Sequence, residues 1–155
     1  TSNKNFVQPD RYVFSRNLSI DWTAPFFNLP GKKVLVTAKK NLPEFKTYWS
    51  DRKDISLMSF SSNKNYVDPV NFVQRISRQN VNNILIEAGP ALLGSFGDKN
   101  LIDEYIFYIS PEKLGDKALY FYGGQKKINF FDNKQFDIVE EINIGKDKKI
   151  VLRKK

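Results

Sequence analysis

A mixed, mostly parallel sheet flanked by helices and finished by an antiparallel hairpin is the α/β architecture that three observations predict for this 155-residue chain. Short apolar runs rich in β-branched and aromatic residues recur at the length of buried strands, notably Val34–Thr37, Ile84–Glu87 and Tyr105–Ile109. An amphipathic helix is marked by Pro69, Phe72, Val73 and Ile76 at i, i+3, i+4 and i+7, and the strand Asn83–Glu87 follows within a few residues. Strand, helix, strand is a crossover unit, nearly always right-handed, and it demands parallel pairing. The third observation is Gly145-Lys146-Asp147, a hairpin turn between two strand-like runs near the C-terminus.

Each element has its own reason. Residues 1–10 are polar and contain Pro9, so they read as a tail or connector ahead of one domain over 11–155. Arg11–Ser15 is a strand, followed by loop chemistry through Pro25 and Pro30 around the apolar anchors Trp22, Phe26 and Phe27. Gly31 precedes the strand ending at Thr37, and Ile55–Phe60 is a third, shorter one. Asp68 is an N-cap, with Pro69 at the helical position where its missing N–H costs nothing. A second helix runs from Pro90 to about Asn100. Tyr105–Ile109 is apolar on both alternating faces and is expected at the centre of the sheet. Lys127–Phe131, Phe136–Ile144 and Lys149–Arg153 have strand character, so the C-terminus is expected to be antiparallel.

Composition narrows the chemistry. At 41% hydrophobic and 27% charged, the chain is long enough for one domain with a core. No apolar run approaches the roughly 18 to 20 residues that span a bilayer, and no signal-peptide pattern opens the chain, so a cytoplasmic protein with no membrane partner is expected. With no cysteine and no histidine there is no disulfide framework, thiol nucleophile, imidazole base or Cys/His metal site, and no metal is expected. The net charge of +8 raises nucleic acid as a partner, but the lysines come as scattered pairs at turns and strand ends, with no basic helix or recognisable nucleic-acid motif. No nucleic acid is expected; phosphorylated small ligands would benefit from the same field.

The chemistry concentrates after Ile84. An apolar strand ends in Glu87, Ala88-Gly89 turns the chain, and Pro90 opens a helix, so the N–H groups of Ala91, Leu92 and Leu93 would point unpaired from its start toward an anionic ligand. In open α/β sheets ligands bind beyond the carboxyl ends of parallel strands, which is where Glu87 and Gly89 fall. Asp103 and Glu104 read as acids at a solvated helix-to-strand junction. Tyr105, Phe107, Tyr108, Tyr120, Phe121 and Tyr122 read as core and sheet packing rather than a base-stacking platform.

The order Glu87-Ala88-Gly89-Pro90, short helix, Asp103-Glu104 opening an apolar strand, Ser110-Pro111, Leu114-Gly115 and Tyr122-Gly123-Gly124 closely resembles the reductase domain of the bifunctional riboflavin-biosynthesis deaminase/reductase, of dihydrofolate-reductase-like fold. The resemblance covers roughly residues 10 to 153, with Arg11–Leu18 similar to the family's Arg-Val-Val-Leu-Asp-Ser strand. It implies NADPH-dependent reduction of the ribosyl carbon of a phosphorylated aminopyrimidine, 5-amino-6-(5-phosphoribosylamino)uracil, to a ribityl chain. It also implies substrate contact by Glu87, cofactor contact by Gly89, Pro90, Ala91, Leu92, Leu93, Gly94, Ser95 and Ser15, and assembly as a homo-oligomer.

The chain departs from the family at Ser15, where Asp is usual, and at Glu112, where Lys follows the proline. The family's Ser-Leu-Asp-Gly-like strand, Gly-x-x-Thr and Asp-Asp-Pro segments and its zinc-dependent deaminase half have no counterpart in the 155 residues. The resemblance therefore implies a C-terminal portion of a longer chain, truncated inside the reductase domain and self-associating through its exposed sheet. The alternative is a non-catalytic oligomerisation or scaffold remnant of the same fold.

Overall fold

A computed structural model describes residues 8–21, 23–49, 51–62, 66–132 and 134–155. Residues 1–7 of the expected tail and the anchor Trp22 lie outside them. The described chain forms two compact units, Thr1–Phe72 and Val73–Lys155.

The first unit holds three parallel strands in the order β1-β2-β3: β1 (Arg11–Phe14), β2 (Lys33–Ala38) and β3 (Ile55–Phe60). Its centre is β2, buried along its whole length. Val36 and Leu35 are fully enclosed, as expected for a β-branched run covered on both faces. One core cluster joins Leu35 and Ile55 to Leu18 and Phe27 of the loop after β1, with Phe26 and Phe45 packed against it. Elsewhere in the unit Phe72 meets the rings of Tyr12 and Phe14 edge-on, at 5.6 and 4.7 Å. Lys33 is only 6% exposed, and its ammonium reaches Asp54 at 3.4 Å.

A helix that sequence patterning does not give, α1 (Leu42–Trp49), lies between β2 and β3. Pro43 near its start is the signal that marks it. The helix α2 (Pro69–Ile76) forms as expected: the Asp68 carboxylate accepts the N–H of Val70 at 2.9 Å. A 3-10 turn, Ser77–Gln79, extends it to Asn80, whose φ of +56° ends it in the left-handed region.

In the second unit α3 (Pro90–Asp98) is followed by three antiparallel strands in the order β4-β6-β5: β4 (Glu104–Ile109), β5 (Phe136–Ile144) and β6 (Asp147–Lys154). The hairpin forms as read, with Ile144 paired to Asp147 and Gly145 at φ +61°, the sign that the first central position of such a turn requires. A bulge between Ile138 and Glu140 shifts the register. The core is aromatic: Tyr105, Phe130 and Phe136 close on Ile150 and Leu152. The acids expected at the solvated junction behave so, with Glu104 held by Arg153 at 2.8 Å.

The fold class stands as mixed α/β, but its parallel and antiparallel parts are separate three-stranded sheets. Three element readings are corrected. Asn83–Glu87 is not a paired strand: residues 81–89 join neither sheet, and Ile84 and Leu85 remain 44% and 74% exposed. Three apolar residues in a row signal a strand only if a ladder receives them. Nor is β4 central; it pairs with β6 alone among the described strands, so Tyr105 turns to the core while Ile106 and Tyr108 face outward. Lys127–Phe131 is not a strand either, although Ile128 and Phe130 do pack in the core, because burial of alternate residues needs no ladder partner. Among the described residues, no helix is long and apolar enough to cross a membrane.

Candidate functional site

The start of α3 is built from backbone. Gly89 is the N-cap, in extended conformation (φ −66°, ψ 169°), and no side chain caps the helix. Pro90 follows without an N–H, and the N–H of Leu93 closes the first turn on the Gly89 carbonyl at 3.1 Å. That leaves the N–H groups of Ala91 and Leu92 as the open donors of the first turn, fewer than the three expected. No acid lies in that turn to neutralise the positive end of the helix dipole. A Cβ built on Gly89 would meet nothing within 4 Å, and Glu87 is exposed two residues earlier. Any residue could adopt this φ, so the fold itself does not call for glycine here. Its bareness leaves the backbone approachable.

The later residues of the predicted cofactor set have packing and hydrogen-bond contacts within the unit. Leu93 packs against the Tyr105–Phe130 core. Ser95 donates its hydroxyl to the Leu92 carbonyl at 2.7 Å. Gly94 is buried: a Cβ there would lie 2.2 Å from the nitrogen of Gly124 and 2.6 Å from the carbonyl carbon of Gly123. The helix and the Tyr122–Gly124 segment thus touch backbone to backbone, and the Gly123 N–H donates to the Pro90 carbonyl at 3.0 Å.

One turn on, Gly97 makes room for the Tyr122 ring, its built Cβ falling 2.6 Å from the phenol oxygen. Asp98 completes the joint. Its carboxylate accepts the N–H of Gln125 at 2.7 Å, the N–H of Lys126 at 2.9 Å and the Tyr122 hydroxyl at 3.1 Å. The two backbone donors, Gln125 first, hold the Asp98 pKa below its ordinary value; burial, then Asp98 itself, pushes Tyr122 upward. Sequence reading missed this joint. Its signal was present in two glycines one turn apart, Gly94 and Gly97, which give a helix a face for close approach, together with the Gly123-Gly124 pair.

The joint has a pH signature. A depressed carboxyl pKa gives stability that is fully present above the ordinary value of 3.8 and is lost as pH falls through the folded value. Asp98→Asn is therefore expected to lower the melting temperature at neutral pH, the gap to the parent protein narrowing below about pH 4 when circular dichroism follows unfolding across pH. A pH-independent gap would contradict this role.

Ser15 belongs to the first unit. Its N–H donates to the Val36 carbonyl at 3.0 Å, and its carbonyl accepts the hydroxyl of the fully buried Thr37 at 2.8 Å. Asn41 donates to both Thr37 Oγ1 and the Arg16 carbonyl, at 2.7 Å each, so the backbone around Ser15 is clamped from β2 and the turn after it.

The fold is mixed α/β, with a parallel strand trio in the first unit and, in the second, an antiparallel trio and a helix that opens uncapped beside a bare glycine. The chain belongs to the RibD C-terminal domain family, whose model matches residues 1–146. It is 31% identical over 152 residues to the riboflavin biosynthesis protein RibD of Buchnera aphidicola subsp. Baizongia pistaciae, covering 97% of this chain and 39% of that protein. A 5-amino-6-(5-phosphoribosylamino)uracil reductase of Buchnera aphidicola subsp. Acyrthosiphon pisum is 25% identical, with 99% of this chain and 71% of that protein covered. Among solved structures, Acinetobacter baumannii RibD superposes with a TM-score of 0.69 at 21% identity over 100% of this chain and 42% of that one, a likeness of fold. The chain thus spans about two-fifths of the length of the first of these relatives.

Proposed function

We propose that this domain carries out the NADPH-dependent reduction of the ribosyl group of 5-amino-6-(5-phosphoribosylamino)uracil to its ribityl form, as part of a longer riboflavin-biosynthesis enzyme. The observation that carries the reading is the open, uncapped start of α3 beside Gly89, in a chain of this family. The bound nicotinamide supplies the hydride; the protein's task is to hold donor and acceptor in register and keep water out.

In this reading the N–H groups of Ala91 and Leu92 receive the cofactor's phosphates, and Gly89 and Pro90 let them come close. Leu93, Gly94 and Ser95 act by fixing the helix rather than by touching the ligand, which their packing and hydrogen bonds support. The exposed Glu87 carboxylate accepts hydrogen bonds from sugar hydroxyls. For Ser15, in the first unit, cofactor contact rests on the family resemblance alone. The domain works as a homo-oligomer, a reading supported by the apolar side chains Ile106 and Tyr108 of β4 and Ile142 and Ile144 of β5, which are 45 to 67% exposed. Calorimetric titration of NADPH tests the cofactor turn: saturable binding is expected, lost in Gly89→Val and kept in Glu87→Ala.

A further inference from the structure

The lysine pairs that look scattered in sequence converge in space. A cleft of about 370 Å³ in the second unit is lined by Lys126, Lys127, Lys134, Lys154 and Lys155. Its walls also include Gly97 and Asn100, so it lies at the C-terminal end of α3, about 12 Å along the helix from Gly89 at 1.5 Å per residue. Lys155 pairs with Asp137 at 3.1 Å; among the described residues no carboxylate pairs with the other four, and no acid lines the cleft. Nearby Asp98 has its oxygens already taken up by the N–H groups of Gln125 and Lys126 and by the Tyr122 hydroxyl.

Four lysines without a carboxylate partner on the walls of one cavity give it a positive field that favours an anion. A single phosphate carries about −1.5 to −2 at neutral pH, too little to balance them, whereas two or three linked phosphates match. Lysine ammoniums act as point charges on phosphate without demanding one orientation. The cavity has the size of a small-molecule site, roughly 300 to 1,000 Å³, rather than of a track for a polymer. Ile102 and Ile128 give it an apolar floor for the body of such a ligand.

We propose that this cleft is a second anion site, separate from the α3 start, that binds a small molecule bearing two or more linked phosphates. The probe is inorganic tripolyphosphate, titrated by calorimetry at fixed ionic strength into the protein, the double variant Lys126→Gln/Lys154→Gln and Gly89→Val. The expected result is saturable one-to-one binding, about tenfold weaker for each lysine removed, and unchanged in Gly89→Val. These lysines are exposed, so the double variant keeps the fold. Absence of saturable binding, equal binding by the double variant, or loss in Gly89→Val would overturn the proposal. So would tighter binding of an oligothymidylate with a steep salt dependence, which would make the rim a nucleic-acid surface.

Discussion

Gly94→Val is expected to destabilise the protein by about 3 kcal/mol, near the upper end of what overpacking a tight contact costs. The reason is geometric. A Cβ at position 94 would sit 2.2 Å from the backbone nitrogen of Gly124, and the obstacle is main chain, which cannot rotate aside as a side chain can. Either α3 or the Tyr122–Gly124 segment must move, and the hydrogen bond from Gly123 to the Pro90 carbonyl is lost with it. For a chain of this size the penalty corresponds to a fall of roughly 6 to 12 °C in melting temperature. Gly89→Ala, five residues earlier, is the internal contrast. Its Cβ enters open space at an ordinary φ, and the gain from a stiffer unfolded chain is offset by alanine's poorer N-capping, so stability is expected to change by less than about 1 kcal/mol. Thermal unfolding of both variants checks the pair, and equal losses would mean that the two glycines do not differ in role.

Phe130→Ala is expected to be costlier still, about 3 to 5 kcal/mol. Phe130 lies in a segment with no regular structure, yet it is 7% exposed and is the hub of the aromatic core. Its ring meets Tyr105 at 4.9 Å, Phe121 at 5.2 Å, Phe107 and Tyr122 at 5.5 Å, and Phe136 at 6.0 Å. Truncation leaves a cavity bordered by five rings anchored on β4, β5 and the loop between them, which cannot all collapse inward. Chemical denaturation is expected to show an unfolding midpoint well below that of the parent protein. A change under 1 kcal/mol would mean that the cluster repacks freely and is not the core of this unit.

Phe130 also shows where sequence reading stops. Alternation over Lys127–Phe131 reports burial of Ile128 and Phe130 correctly, but it cannot say whether a second strand is present to pair the backbone between them. Ile84–Glu87 fails for the same reason: apolarity predicts a ladder, and neither sheet supplies one. By contrast β3, α2 and the hairpin at Gly145 were legible because local chemistry alone specifies them: a bounded apolar run, a cap with helical spacing, and a glycine where φ must be positive. At the candidate site the turn at Gly89-Pro90 was legible from residue types, and the helix starts at Pro90 as read. The purpose of Gly94 was not. A glycine that admits a ligand and a glycine that admits another stretch of backbone look alike until the partner segment, here 28 residues or more downstream, is in place. Asp98 is invisible for the same reason, since its acceptors' partners are main-chain N–H groups of Gln125 and Lys126.

The measurement that most directly tests the central claim is calorimetric titration of NADPH into the protein, Gly89→Val and Glu87→Ala. The open space at Gly89 means that valine there leaves the fold intact, which its melting temperature will confirm, so any lost affinity reports ligand approach to the α3 start. The account predicts saturable binding by the parent protein and by Glu87→Ala, and none by folded Gly89→Val. Binding that survives in Gly89→Val would place the cofactor elsewhere and contradict it.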